Sequence, residues 1–294
     1  MPSPKPRPVG RILLSARWIV GHAGGYHRLL ENGEVVFDDG RIVFVGRNFP
    51  GEVARRINYG NALIGPGFVD LDALSDLDTT ILAFDNQPAW KKGRVWPRSY
   101  LEAGPYEMYT REELAFQKRY AFASLIRNGI TTALPITSMY YRAWAERYDE
   151  FAGVAAVAGE LGLRVYLGPC CMSGITYVRA DRTLDQHWDE GRGLAQLEDA
   201  IRYVLEFDGT QGDLVRGMFA PDRIETCTPA LLERLSAANR EMRVPVRLHA
   251  CQSLYEFETV HRLRGSTPLG PYRPRKVTTV TSAHMRSGER PCWS

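Results

Sequence analysis

Two short stretches hold the residues best suited to chemistry. The first, Pro66-Gly67-Phe68-Val69-Asp70-Leu71-Asp72-Ala73-Leu74-Ser75-Asp76-Leu77-Asp78, ends an apolar run with four carboxylates in nine residues. Acids so crowded repel one another, so they are either solvated or neutralised by a cation. A solvated strand end and a set of oxygen ligands for a hard ion are both open readings. Alternate strand residues share a face, which puts Asp70, Asp72 and Leu74 together. The second stretch, Val244-Pro245-Val246-Arg247-Leu248-His249-Ala250-Cys251-Gln252, closes an apolar strand with a histidine. His249 is either a buried, hydrogen-bonded core residue or a metal ligand.

Other candidates are weaker. Cys170 and Cys171 are adjacent, so on a strand they face opposite ways, and free cysteine commonly serves as a small core residue. His22 and His27, in Gly21-His22-Ala23-Gly24-Gly25-Tyr26-His27, have no carboxylate or thiol beside them and mark a turn.

The elements that must position these groups follow from the apolar pattern. Residues 9–61 read as a β subdomain, a small antiparallel sheet. In it Asp38-Asp39-Gly40 turns a hairpin between Glu34–Phe37 and the alternation of Ile42, Phe44 and Gly46. Residues 62–264 alternate short apolar strands with helix-length segments, as in a parallel sheet covered by helices. The expected strands lie at residues 62–72, 129–136, 163–169, 214–220 and 244–250. The helices are expected over 110–128, 140–161, 191–207 and 228–243. Thr110 with Glu113 forms a capping box, and Gly129 and Gly162 stand at helix C-termini. The long segment from Leu74 to Tyr109, with Phe84, Trp90, Trp96, Tyr100 and Tyr106, is either a lid or a packed cover. Residues 265–294 read as an aperiodic basic tail, in which Lys276–His284 could add one more strand.

Bulk properties exclude several classes. A net charge of +3 over 294 residues gives no broad basic field for nucleic acid. No apolar run approaches the ~18 residues of a membrane span. The N-terminal Met1–Pro8 lacks the apolar core of a signal peptide. Five cysteines without a regular spacing suit a reducing compartment, so a cytoplasmic location is expected.

The order of hairpin-rich N-terminus, "ALIGPGFVDLDA" and repeated strand–helix units resembles the amidohydrolase superfamily, nearest to its triazine hydrolase, guanine deaminase and cytosine deaminase branch. "DDGRIVFVG" is similar to that family's N-terminal hairpin, "GITTALP" to its second barrel strand, and "VPVRLHACQSLYEFETV" to its fifth strand and following helix. The resemblance covers about residues 9–263. It implies an α/β fold: a (β/α)8, TIM-like barrel, here partial, with a small N-terminal β-sandwich-type subdomain. Asp72, Pro135, Pro169, Ala220 and His249 then meet at the C-terminal strand ends. It also implies a divalent metal, zinc or a harder ion, that activates water against a non-peptide C–N bond of a small cyclic or amidine-like substrate.

This chain departs from that pattern. Asp72 and Leu74 stand at the first strand's two histidine positions, leaving Asp72 and His249 as the expected metal ligands. Asp76 and Asp78 could add oxygens. Gln252 stands where the family often places a proton-shuttling glutamate, and an amide orients substrate but moves no proton near pH 7. Strands six to eight are expected to be missing, with His284 a weak stand-in on the sixth. Activity is therefore doubtful, and a non-catalytic small-molecule-binding relative or a truncated inactive fragment is the alternative. Unpaired strand edges would favour a homo-oligomer.

Overall fold

The computed structural model describes residues 10–73, 96–103, 109–135, 148–268 and 279–280. Contacts divide the chain into two compact units, Met1–Gly67 and Phe68–Ser294.

The first unit is a five-stranded sheet. β1 (Ile12–Ala23) pairs antiparallel with β2 (Tyr26–Asp38), and β2 with β3 (Arg41–Gly46). The β2–β3 turn is Asp39-Gly40, with φ of 44° and 75°, the left-handed pair that a two-residue hairpin loop favours. The sheet is not purely antiparallel, however. β4 (Arg55–Asn58) and β5 (Leu63–Ile64) both pair parallel to β1. The expected strand over 62–72 is thus broken at Pro66-Gly67. Its first half joins the N-terminal sheet beside Trp18 and Ile19, and its second half opens the next unit.

The second unit is α/β, with parallel strands in chain order. β6 (Phe68–Ala73), β8 (Ile130–Pro135), β9 (Arg164–Leu167) and β13 (Val215–Gly217) form one sheet. Just past β9, β10 (Cys170–Cys171) pairs parallel with β14 (Ala220–Pro221). A bridge from Phe219 to Val246 brings in β15 (Val246–Arg247). β15 in turn pairs parallel with β16 (Thr279–Val280). A further parallel strand therefore lies within Lys276–His284, the one part of the expected tail that could add a strand.

Helices α2 (Arg111–Arg127), α3 (Tyr148–Leu161), α4 (Glu190–Phe207), α5 (Pro229–Met242) and α6 (Leu254–Arg264) follow the strands; a shorter helix, α1 (Arg98–Ala103), precedes them. The expected capping box is present: Thr110 Oγ1 accepts from Glu113 N at 3.2 Å, and Glu113 accepts from Thr110 N at 2.7 Å. Gly129 and Gly162 have φ of 80° and 77°, as the chain reversals after α2 and α3 require.

The helix-facing side of the strands supplies the core. Ala73, Ala133, Val165 and Val215 pack with Phe122, Val154, Ala158 and Tyr203, and Val246 packs with Leu197, Leu231 and Val260. Each fully buried large side chain contributes roughly 1.5–3 kcal/mol. Strand alternation sends the intervening residues to the other face, where Leu134, Tyr166, Met218 and Ala220 cluster.

A further hairpin, β11 (Gly174–Val178) with β12 (Leu184–Trp188), was not expected from the sequence. β7 (Trp96–Pro97) pairs parallel with β11, so a described part of the aromatic segment docks there. The rest of that segment between residues 74 and 108, apart from α1, lies outside the described residues, as do Leu74, Asp76, Asp78 and His284.

Candidate functional site

The strand ends are tied together by a backbone ladder that continues past the regular sheet. Asp222 N donates to Cys171 O at 3.1 Å, and His249 N donates to Asp222 O at 3.3 Å. Asp222 O also lies 3.3 Å from His249 Nδ1. A carbonyl only accepts, so this bond puts the proton on Nδ1 and leaves Nε2 to face the site.

Nε2 points at Asp72. The two side chains, 7% and 25% exposed, approach to 3.8 Å between Nε2 and Oδ1. Val246 and Leu248 turn toward the helices, so Arg247 and His249 share the opposite, interior face. Ala73 likewise packs under the helices and leaves Asp72 inward. The structure thus unites Asp72 and His249, two of the residues picked out in sequence, although they are 177 positions apart. Asp70 does not join them; its Oδ1 accepts from Asp72 N at 3.0 Å.

Gln252, three residues after His249, lies in a braced loop. Buried Glu256 accepts from Cys251 N at 2.6 Å and from Gln252 N at 2.8 Å, while Ser253 caps α6. Arg223 Nη1 donates to the Gln252 side-chain oxygen and lies 3.9 Å from Glu225. Burial pushes Glu225 up to about 8, with Arg223 pulling the other way. Burial also raises Glu256, against the two backbone N–H groups it accepts from.

Three of the described cysteines are core residues, while Cys251 is exposed. Cys170, Cys171 and Cys227 are buried, and burial pushes the Cys171 thiol up to about 12 and Cys227 well above its ordinary value. Thiols held protonated make poor nucleophiles.

The sequence reading passed over Arg223, Glu225 and Arg247. The signal for Arg247 was present, since a charged residue interrupts the apolar strand Val244–Leu248. Arg223 and Glu225 follow the end of β14 without a recognisable pattern.

Among the described residues no group of three or more His, Cys, Asp or Glu side chains is placed to hold a metal ion. His249 and Asp72 supply two donors, whereas a catalytic zinc usually takes three from protein. The described donor set therefore does not fit a zinc centre. Among the described residues no helix is long and apolar enough to cross a membrane.

No family model matches the chain. It is 23% identical over 265 residues to a 5-methylthioadenosine/S-adenosylhomocysteine deaminase of Desulforudis audaxviator, covering 88% of this chain and 53% of that protein. The chain thus spans about half the length of the curated relatives it matches. Among solved structures, a guanine deaminase from C. acetobutylicum superposes with a TM-score of 0.62 at 18% identity, covering 87% of this chain and 56% of that one. An atrazine chlorohydrolase from Arthrobacter aurescens, complexed with zinc, gives 0.64 at 18% identity over 87% and 56%. In sequence the chain is thus similar to a deaminase, and in fold to a guanine deaminase and an atrazine chlorohydrolase, in line with its resemblance to the amidohydrolase superfamily.

Proposed function

We propose that this chain forms the first six strands of a (β/α)8-type barrel, with a small β subdomain ahead of it, and belongs to a hydrolase of non-peptide C–N bonds. A complete barrel of this kind takes ~250 residues. The substrate class is a small cyclic or amidine-like molecule, in keeping with relatives named for deaminating purine-containing compounds. The observation that carries the reading is the convergence of Asp72 and His249 at the C-terminal strand ends, 3.8 Å apart and on the interior face. Active sites of parallel barrels sit at those ends.

In this reading His249 presents Nε2, fixed by its Nδ1 bond, to a water or substrate atom beside Asp72. Gln252, held by Arg223, orients the substrate through its amide. Neither this amide nor the described donor set supplies the full machinery of proton transfer or of a metal-bound water. That shortfall supports a second reading, a non-catalytic relative that binds small molecules at the same strand ends.

The test is release of ammonia from 5′-methylthioadenosine, S-adenosylhomocysteine and guanine, followed by absorbance, with equilibrium binding measured in parallel. Turnover that falls in both Asp72→Ala and His249→Ala supports the hydrolase reading. Binding without turnover, lost in the same variants, supports the second. Turnover indifferent to both substitutions would sink the assignment of this pair.

A further inference from the structure

We propose that the Arg247 guanidinium is the resident cation of the strand-end site and keeps a divalent ion away from Asp72 and His249. This rests on the reading of those two residues as the inward pair. Arg247 is 4% exposed and lies two residues before His249 on the same face of its strand. Its Nη1 donates to Leu134 O at 3.2 Å and to Pro135 O.

Those carbonyls belong to β8, whereas Arg247 belongs to β15. In sheet order β9 and β13 stand between them, with β10 and β14 beyond. The side chain therefore crosses the space on the interior face instead of running along the sheet. It ends beside the first strand, because Pro135 pairs with Ala73, the residue after Asp72. The guanidinium is thus bonded to the end of β8, the strand that pairs with the one carrying Asp72.

Three properties make this group a substitute for a metal rather than a neighbour of one. A guanidinium cannot be deprotonated in a protein, so it cannot step aside by losing its charge. Its Nη1 is anchored on two carbonyl oxygens, which offsets part of the cost of burying it. A divalent ion brought to Asp72 would add positive charge on the same interior face as this fixed one, and like charges repel. The same arrangement accounts for a donor set of only two among the described residues. Asp72 in place of a neutral ligand suits a site whose cation is built into the chain.

The experiment is a zinc titration of the full chain by calorimetry, with equilibrium dialysis and metal analysis as the second readout. Wild type is compared with Arg247→Met, Arg247→Gln, Arg247→Lys and Arg247→Met combined with His249→Ala. Circular dichroism melts establish which variants fold. The expected result is zinc affinity at least tenfold higher in Arg247→Met, a wild-type value in Arg247→Lys, and loss of the gain in the double variant. Should Arg247→Met fail to fold, Arg247→Gln, which removes the charge while keeping a polar amide, carries the same expectation. Wild type binding zinc as tightly as the neutral variants, or a gain that survives His249→Ala, would overturn the proposal. Because no turnover is measured, an inactive protein can still pass or fail this test, which separates it from the test of the hydrolase reading.

Discussion

Arg223 and Gln252 are joined side chain to side chain, the guanidinium donating to the amide oxygen. The bond links the turn after β14 to the loop that follows His249. It also fixes what a carboxylate would experience at position 252. A neighbouring guanidinium favours the ionised form, so a glutamate there would be a base rather than an acid near neutral pH.

Gln252→Glu is accordingly expected to raise any C–N hydrolysis, toward the ~10²–10⁴-fold that general acid–base groups contribute. The gain should persist below pH 5, because Arg223 keeps the new carboxylate charged. Ammonia release across a pH series, with and without Arg223→Met, checks both points. An unchanged rate would remove position 252 from the reacting path.

Glu225 makes stability depend on pH. Its folded-state value is raised to about 8, above the ordinary carboxylate range, so the folded chain binds this proton where the unfolded chain has lost it. The stabilising contribution is fully present below the unfolded value of ~4.3 and is lost as pH rises through about 8. The slope over that window is at most on the order of 1 kcal/mol per pH unit. Urea denaturation at pH 5, 7 and 9 should show wild type weakening, while Glu225→Gln stays flatter and gains on wild type at pH 9.

Zinc should copurify at well below one equivalent per chain. The described donors are two, and chelation should therefore leave the melting temperature where it was. Atomic absorption after dialysis against a mild chelator measures this, and stoichiometric zinc surviving that dialysis would contradict it.

Among the described strands β6 (Phe68–Ala73) forms an edge of the parallel sheet. β6 pairs only with β8 among the described strands, and Phe68, Val69 and Leu71 on it are exposed. An edge of apolar residues is a template for pairing with another chain. Self-association is expected at micromolar concentration, with Val69→Lys combined with Leu71→Lys shifting the protein toward monomer in sedimentation velocity. β15 does not share this exposure, since β16 pairs with it.

Helix α2 offers a control for the local reading of the sequence. Thr110→Ala removes an acceptor for Glu113 N and should cost ~1 kcal/mol. A chemical denaturation midpoint measures it directly.

The sequence by itself determined whatever depends on near neighbours along the chain. The Asp39-Gly40 turn, the Thr110–Glu113 capping box and the glycines after α2 and α3 are local, because each rests on backbone geometry within a few residues. Strand and helix alternation is local in the same sense, and with it the parallel sheet; the expected shared face of Asp70 and Asp72 fails, because pairing in β6 is irregular between Asp70 and Ala73. The limits of such a reading are visible at Leu63–Ile64, which local pattern merges with β6 but pairing assigns to the N-terminal sheet. At Thr279–Val280 the local pattern offered a strand within Lys276–His284, and pairing with β15 gives its partner. The site was decided by tertiary structure alone. Asp72 and His249 could be named from their own stretches, but only the closing of the strands brings Nε2 to 3.8 Å from Oδ1. Arg247 was the charge that did not belong in an apolar strand, and its partners are carbonyls 112 and 113 residues earlier in the chain. Contacts of that span are set by which strands enclose a common space, and no periodicity along the chain encodes that.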